Sequence, residues 1–145
     1  MQFQIIGPVI DTKYFEKIKR QIVQMNMQDK IEIVNPNSNE LAEILRESLL
    51  TVSMSLKESF GIARMESLGS GTPVVTYDVG CGSDLSIFGA IVVPFGDEER
   101  MYIEVVRLLS DLSYWKNKSL ESRTSSVTWN SVVQQLISIF QLKDT

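Results

Sequence analysis

Histidine is absent from the sequence, and cysteine occurs only once, as Cys81. Without histidine there can be no histidine-based catalytic triad and no histidine metal ligand, and the commonest general acid or base is missing. A single cysteine rules out an internal disulfide and a zinc cluster built from several cysteines. We therefore expect a reduced, cytoplasmic protein whose chemistry depends on carboxylates, cations and backbone groups.

Basic residues are scarcer than acidic ones, with 14 lysines and arginines against 18 aspartates and glutamates and a net charge of −4. A nucleic-acid partner would need a basic face, so none is expected. A bound phosphate would have to be held mainly by backbone dipoles or by very few cations. The apolar run at residues 1–7 is too short for a signal sequence or a membrane span. The length of 145 residues and the hydrophobic share of 43% suit a single domain covering residues 1–145.

Short apolar runs alternate with amphipathic segments along the whole chain. The runs are rich in β-branched residues and do not alternate with polar ones, which is typical of parallel strands buried on both faces. The sequence therefore predicts a doubly wound, Rossmann-like α/β fold. Predicted strands cover residues 3–6, 31–34, 49–54, 73–77 and 90–93, and predicted helices begin at Asp11 or Thr12, at Ser38, near Ile62 and at Asp97, with a last helix over residues 128–140.

Loops that follow the strands are the candidate binding sites. In doubly wound sheets, ligands bind beyond the carboxyl ends of the strands. This selects the loops at Gly7, at Asn35, from Glu58 to Gly61 and from Asp78 to Ser83.

The segment from residue 56 to residue 75 carries the most informative pattern. Glu58 lies in a turn that follows a strand, and Gly61 allows a ligand to come close to the backbone. The helix beginning near Ile62 then points its free N–H groups at the site. These donors and the helix dipole form an anion pocket suited to the phosphate end of a nucleotide sugar. Glu66 lies one turn inside the helix, and its side chain is directed toward the helix N-terminus and therefore toward the same pocket as Glu58. Carboxylates repel phosphate, so we expect both glutamates to accept hydrogen bonds from paired hydroxyls of a ribose or a pyranose.

Glu58 and Glu66 form an E-x7-E pair, with Phe60-Gly61 after the first glutamate and Gly71-Thr72-Pro73-Val74 downstream. Together with the strand order, this pattern resembles the group 1 retaining glycosyltransferases (carbohydrate-active family 4), which have the GT-B fold of two Rossmann-like domains. The resemblance implies the C-terminal, nucleotide-sugar-binding domain. It extends over nearly the whole chain, through the strand at residues 3–7, the strand at residues 31–34, and Pro94 followed by Asp97.

The resemblance also implies a role for each residue of the site. Glu58 would act in catalysis by contacting hydroxyls of the donor sugar, the neighbouring backbone amides would meet the sugar and the diphosphate, and Glu66 would hold the ribose hydroxyls. The donor would be a UDP-sugar or a GDP-sugar, and no metal or other cofactor is expected, because no Asp-x-Asp metal motif is present. The implied donor-binding residues are Glu58, Ser59, Phe60, Gly61, Ile62, Glu66 and Gly7, with Asn35 and Pro36 beside the base.

Two parts of the family pattern are missing from the sequence. Family C-terminal domains normally begin with a strand–helix unit that brings an arginine and a lysine to clamp the diphosphate, and this sequence starts after it. The acceptor-binding domain is also missing. We therefore expect hexose transfer only together with an acceptor-binding domain or partner chain, through which peripheral membrane association is possible. The alternative is a non-catalytic nucleotide-binding or scaffold subunit, which the missing clamp favours.

Other residues have plainer interpretations. Arg64 could replace the missing clamp, but its position about 100° round the helix from Met65 predicts a surface charge that pairs along the helix. Asp78 could suggest the phospho-acceptor of a receiver domain, but the acidic pair and the lysine of that fold are replaced by Gly7-Pro8 and Pro94. Asp84 stands where the family more often has a glutamate, so its contact with the donor is left open.

Overall fold

A computed structural model describes residues 2–125, with side chains up to residue 123. The predicted helix over residues 128–140 lies outside this range. The strands are β1 (Phe3–Ile6), β2 (Ile31–Val34), β3 (Thr51–Ser53), β4 (Val74–Tyr77) and β5 (Ile91–Val93); the helices are α1 (Thr12–Gln24), α2 (Ser38–Glu47), α3 (Ile62–Gly69), α4 (Glu98–Ser110) and α5 (Leu112–Ser125), with a short 3₁₀ helix at Ser83–Phe88.

The chain divides into two compact units, the first ending at Leu41 and the second beginning at Ala42. In the first unit, β1 and β2 pair in parallel, with Ile6 opposite Val34. In the second unit, the strand order is β3-β4-β5 and both pairings are parallel. These parallel strands, connected by helices, confirm the predicted α/β class. The expectation of a single domain over residues 1–145 stays a prediction.

The second unit has its core around β4, where every residue is buried. Val75 and Tyr77 pack with Val93, while Val74 packs with Leu68 in a second cluster. Because successive residues of a strand point to opposite faces, both faces of β4 are covered. The predicted burial on both faces is therefore confirmed for this strand.

β1 does not follow that prediction. Phe3, Ile5 and Ile6 are 47%, 42% and 40% exposed. The β-branched and aromatic composition of this strand correctly predicts its conformation, but it does not reveal how much of the strand is covered.

Helix caps show how short polar residues set the helix starts. The Asp11 carboxylate accepts hydrogen bonds from the N–H groups of Lys13 and Tyr14 at 2.8 and 3.0 Å, which confirms the predicted cap of α1. For α2, the expected cap at Ser38 is wrong by one residue. Asn37 caps this helix by accepting from the Glu40 N–H at 3.1 Å, and Glu40 Oε2 accepts from the Asn37 N–H at 2.8 Å. This reciprocal capping box requires a glutamate three residues after the cap, which Asn37 has and Ser38 lacks.

Helix α5 is absent from the sequence-based expectation. Asp111 caps its start, because the Asp111 carboxylate accepts hydrogen bonds from the N–H groups of Ser113 and Tyr114 at 2.9 and 3.0 Å. The buried Ser119 hydroxyl donates to the Gly71 carbonyl at 2.7 Å, which attaches the helix to the loop before β4. No helix of the described range is long and apolar enough to cross a membrane.

Candidate functional site

Two loops meet at the carboxyl edge of the sheet in the second unit. Residues 55–61, here called the motif loop, lead from β3 to α3, and residues 78–82, the glycine loop, follow β4. Since β3 and β4 are parallel neighbours, with Ser53 opposite Thr76, both loops leave the sheet at the same edge. The predicted site loops of this unit therefore lie side by side.

Carbonyl groups of the motif loop turn toward the glycine loop. The Cys81 N–H donates to the Ser59 carbonyl at 3.2 Å, and the Cys81 thiol donates to the Phe60 carbonyl at 2.8 Å. Gly80 has a φ of 60°, and a Cβ added there would lie 2.3 Å from the Glu58 carbonyl oxygen. A side chain at position 80 would thus be strained and would also push the motif loop away.

The N–H groups of the motif loop consequently point the other way. The described residues contain no cis peptide, and in a trans peptide the N–H is directed opposite to the preceding carbonyl. The N–H groups of Ser59, Phe60 and Gly61 therefore face away from the glycine loop. The N–H groups of Ile62 and Ala63 belong to the first turn of helix α3. Among the described residues, none of the N–H groups from 59 to 63 donates to another protein group. The result is a run of free donors at the N-terminus of a helix, which suits an anion.

Gly61 is the N-cap of α3, with φ 75° and ψ 59° in the left-handed region that glycine adopts readily. This conformation confirms the expected turn. The close approach of a ligand to the backbone that we expect at Gly61 stays a prediction. A Cβ on Gly61 would lie 2.1 Å from Arg64 Nε, so the space on the Cβ side of this residue is filled by an arginine of the same helix.

Glu58 and Glu66 both keep acceptor capacity. Glu58 is half-buried, and its Oε1 accepts one long hydrogen bond from the Ser55 hydroxyl at 3.4 Å. Glu66 is exposed, and within the described range its carboxylate has no hydrogen-bond or ion-pair partner. Phe60 and Ile62 are 56% and 67% exposed, so apolar surface is uncovered beside the free donors.

Arg64 is not the surface charge that its helix position predicted. Its side chain is only 1% exposed. Its Nη1 donates to the Thr76 hydroxyl at 3.2 Å, and its Nη2 donates to the Phe60 carbonyl at 3.4 Å. Helical periodicity shows which residues share a face, but it does not reveal that the glycine loop covers this one.

Gly7, Asn35 and Pro36 belong to the first unit. Gly7 follows β1 and its N–H donates to the Val34 carbonyl at 3.0 Å, while Asn35 and Pro36 follow β2 directly. These three positions thus share the carboxyl end of one strand pair, and their contribution to donor binding stays a prediction. In the second unit, Asp84 is exposed in the first turn of the 3₁₀ helix.

Tyr77 precedes the glycine loop at the end of β4. Burial raises the pKa of its phenol above the ordinary value, and the nearby carboxylates of Glu98 and Asp97 raise this pKa further. The ring makes an edge-to-face contact with Phe95 at 5.8 Å between centroids. The phenol therefore stays neutral at physiological pH and supports the loop by packing. Among the described residues, no three histidine, cysteine, aspartate or glutamate side chains are grouped to hold a metal ion.

Comparison with known proteins identifies the family. The model of the family described as "Glycosyl transferases group 1" matches residues 1–121. The chain belongs to this family. As a group 1 chain, it has the Rossmann-like fold of the C-terminal domain of GT-B glycosyltransferases.

Individual relatives agree with this assignment. The poly(glycerol-phosphate) alpha-glucosyltransferase of Bacillus subtilis is 39% identical over 69 residues, which cover 48% of this chain and 10% of that enzyme. A glycosyltransferase from Rickettsia africae superposes with a TM-score of 0.81 at 18% identity, covering all of this chain and 41% of the other. Anabaena HepE in complex with UDP-glucose superposes with a TM-score of 0.79 at 15% identity, and the match covers 97% of this chain and 40% of the other. The chain thus spans less than half of each of these relatives.

Proposed function

We propose that the chain is the donor-binding domain of a glycosyltransferase, and that its second unit binds the diphosphate of a nucleotide sugar at the N-terminus of α3. The observation that carries this proposal is the run of free N–H groups from residue 59 to residue 63. Such donors suit an anion, and the helix dipole adds to their effect. Membership of the group 1 family and the likeness to HepE bound to UDP-glucose support the same conclusion.

In this proposal, the two glutamates bind the uncharged parts of the donor. Glu58, in the middle of the motif loop, accepts hydrogen bonds from hydroxyls of the transferred sugar, for which we propose a hexose. Glu66, one turn inside α3, accepts from the ribose hydroxyls. Glu66 has no described partner and Glu58 has one long hydrogen bond, so their oxygens are available for these contacts. A carboxylate that binds two hydroxyls also forms stronger hydrogen bonds than a neutral acceptor does.

The chemical task of the free donors is to stabilise the leaving group. When the bond between the sugar and the diphosphate breaks, negative charge develops on the departing phosphate oxygen. Preorganised N–H groups aimed at that oxygen stabilise the transition state without reorganisation. The acceptor hydroxyl forms the new bond to the sugar, with retention of configuration, and its proton passes to the departing phosphate oxygen. Another domain or a partner chain presents this acceptor. We propose that no metal ion takes part.

The direct test is calorimetry of the full chain with UDP, GDP and ADP, first in the presence of a chelator and then with magnesium. Binding of a diphosphate mainly through backbone donors should be weak, with a Kd near about 1 mM, or roughly −4 kcal/mol. The Kd should be the same with and without magnesium. Absence of binding for all three nucleotides at millimolar concentration, with the protein folded, would contradict the proposal.

A further inference from the structure

We propose that Arg64 is a positioning residue for the diphosphate, and that its buried charge makes the N-terminus of α3 selective for anions. This proposal rests on the function proposed above, because it concerns the same site. It assigns a positive charge beside the free N–H groups to one buried side chain of the same helix.

Hydrogen bonds of Arg64 join the two loops of the site. Nη2 donates to the Phe60 carbonyl in the motif loop at 3.4 Å, and both Nη1 and Nη2 donate to the Val79 carbonyl in the glycine loop at 3.4 Å. The Thr76 hydroxyl at the end of β4 is a further acceptor at 3.2 Å. Arg64 holds the Phe60 carbonyl on the side of the motif loop that faces the glycine loop. The N–H of the same peptide, that of Gly61, is therefore held on the opposite side, toward the proposed ligand.

Among the described residues, no carboxylate forms an ion pair with Arg64. The ion pairs in that part of the chain are made by four other cations, namely Lys19, Arg100, Arg107 and Lys118. The partners of Arg64 are uncharged oxygens, and its buried Nε has no hydrogen-bond partner among the described residues. A cation that is 1% exposed and surrounded by neutral groups is costly unless an anion compensates it.

The position of the guanidinium indicates where that anion binds. A Cβ on Gly61, the N-cap of α3, would lie 2.1 Å from Nε, 2.4 Å from Nη2 and 2.6 Å from Cζ. The arginine charge therefore lies directly against the residue where the helix begins. There it adds to the positive end of the helix dipole and to the free N–H groups. A diphosphate bound to those donors is attracted by a charge that water screens poorly.

The test compares UDP with uridine, which lacks the diphosphate, on the wild-type chain and on variants of Arg64. NMR titration gives both dissociation constants, and the readout is the ratio of the uridine Kd to the UDP Kd. Arg64→Met removes the charge and keeps an apolar chain of similar reach, whereas Arg64→Lys keeps the charge with fewer donors. Arg46→Met, at an exposed position of α2, is the matched control for the change in net charge.

We expect Arg64→Met to lower the ratio on the order of tenfold to hundredfold through weaker UDP binding. Arg64→Lys should keep most of the ratio, and Arg46→Met should not change it. An unchanged ratio in folded Arg64→Met, or equal weakening of uridine and UDP, would show that the arginine only supports the fold. If Arg64→Met does not fold, Arg64→Lys decides: a preserved ratio supports the proposal and a lost ratio overturns it. Failure of the wild-type chain to bind UDP would instead overturn the proposed function itself.

Discussion

Replacement of Glu66 by alanine separates a binding role from a structural one. The Glu66 side chain is exposed and makes no described hydrogen bond or ion pair, so its removal should leave the fold intact. Surface substitutions of this kind change the free energy of unfolding by less than about 0.5 kcal/mol. Alanine is also the best helix former, which favours the variant slightly inside α3. We therefore expect the midpoint of thermal unfolding to move by less than about 3 °C.

Nucleotide binding should respond much more strongly to Glu66→Ala. A hydrogen bond to a charged acceptor contributes roughly 1.5–3 kcal/mol, and the ribose offers two hydroxyl donors. At about 1.4 kcal/mol for each factor of ten, the Kd for UDP should rise about tenfold to a hundredfold. The affinity for inorganic pyrophosphate, which has no ribose, should stay the same.

The assay combines thermal unfolding with NMR titration by UDP and by pyrophosphate. Glu43→Ala provides a matched control, because Glu43 is another exposed glutamate in a helix, α2, and makes no described contact. The control should change neither stability nor affinity. A large drop in the unfolding temperature of Glu66→Ala with an unchanged Kd for UDP would show that Glu66 is structural, and the ribose assignment would then be wrong.

The remaining predictions concern the loops, the caps and the transfer reaction. Gly80→Ala should destabilise the fold by about 1–3 kcal/mol in chemical denaturation, because of the positive φ and the contact with the Glu58 carbonyl; a loss below about 0.5 kcal/mol would refute this packing. The hydrogen bond from the Tyr114 N–H, followed by that from the Ser113 hydroxyl, lowers the pKa of the Asp111 carboxyl, so the stability that this cap contributes is present above its unfolded pKa of about 3.9 and is lost as the pH falls. Asp111→Asn should flatten that acid dependence in unfolding experiments, and an unchanged acid dependence would count against the cap. The chain alone should transfer no sugar from labelled nucleotide sugars to simple acceptors, because alignment of the acceptor can contribute about 7–11 kcal/mol of barrier lowering; robust transfer would contradict the need for an acceptor-binding partner.

The strands and most helix starts are predictable from local sequence. β1 and β2 have the expected bounds, because short β-branched runs end at strong turn formers such as Gly7-Pro8. Asp11 and Asp97 cap their helices as expected. A short carboxylate side chain just before a helix accepts hydrogen bonds from the free N–H groups of the first turn, and this local contact does not depend on the rest of the fold. The same local rule, applied to Asp111, indicates the start of α5. The sequence-based expectation lacks this helix because its apolar residues do not recur at helical spacing. In the structure, Tyr114 and Trp115 pack against the core of the second unit, and the Ser119 hydroxyl donates to the Gly71 carbonyl.

The arrangement of the site depends on contacts that local patterns do not encode. The E-x7-E pair and the turn at Gly61 are visible in the sequence, and the structure places both glutamates on either side of that turn. The burial of Arg64 is not visible, because it results from the glycine loop lying against α3, fifteen residues further along the chain at Val79. A buried arginine and an exposed one have the same helical spacing, so only tertiary structure separates them.

The central claim is that the free N–H groups from residue 59 to residue 63 bind the diphosphate, and amide chemical shifts of the isotopically labelled chain test it most directly. On titration with UDP, the largest and saturable shifts should occur at the amides of residues 59–63, since direct hydrogen bonds to phosphate change amide shifts strongly. The amides of α4 should change little, because this helix contributes no residue to the proposed site. Saturable shifts located elsewhere, with residues 59–63 unaffected, would contradict the claim.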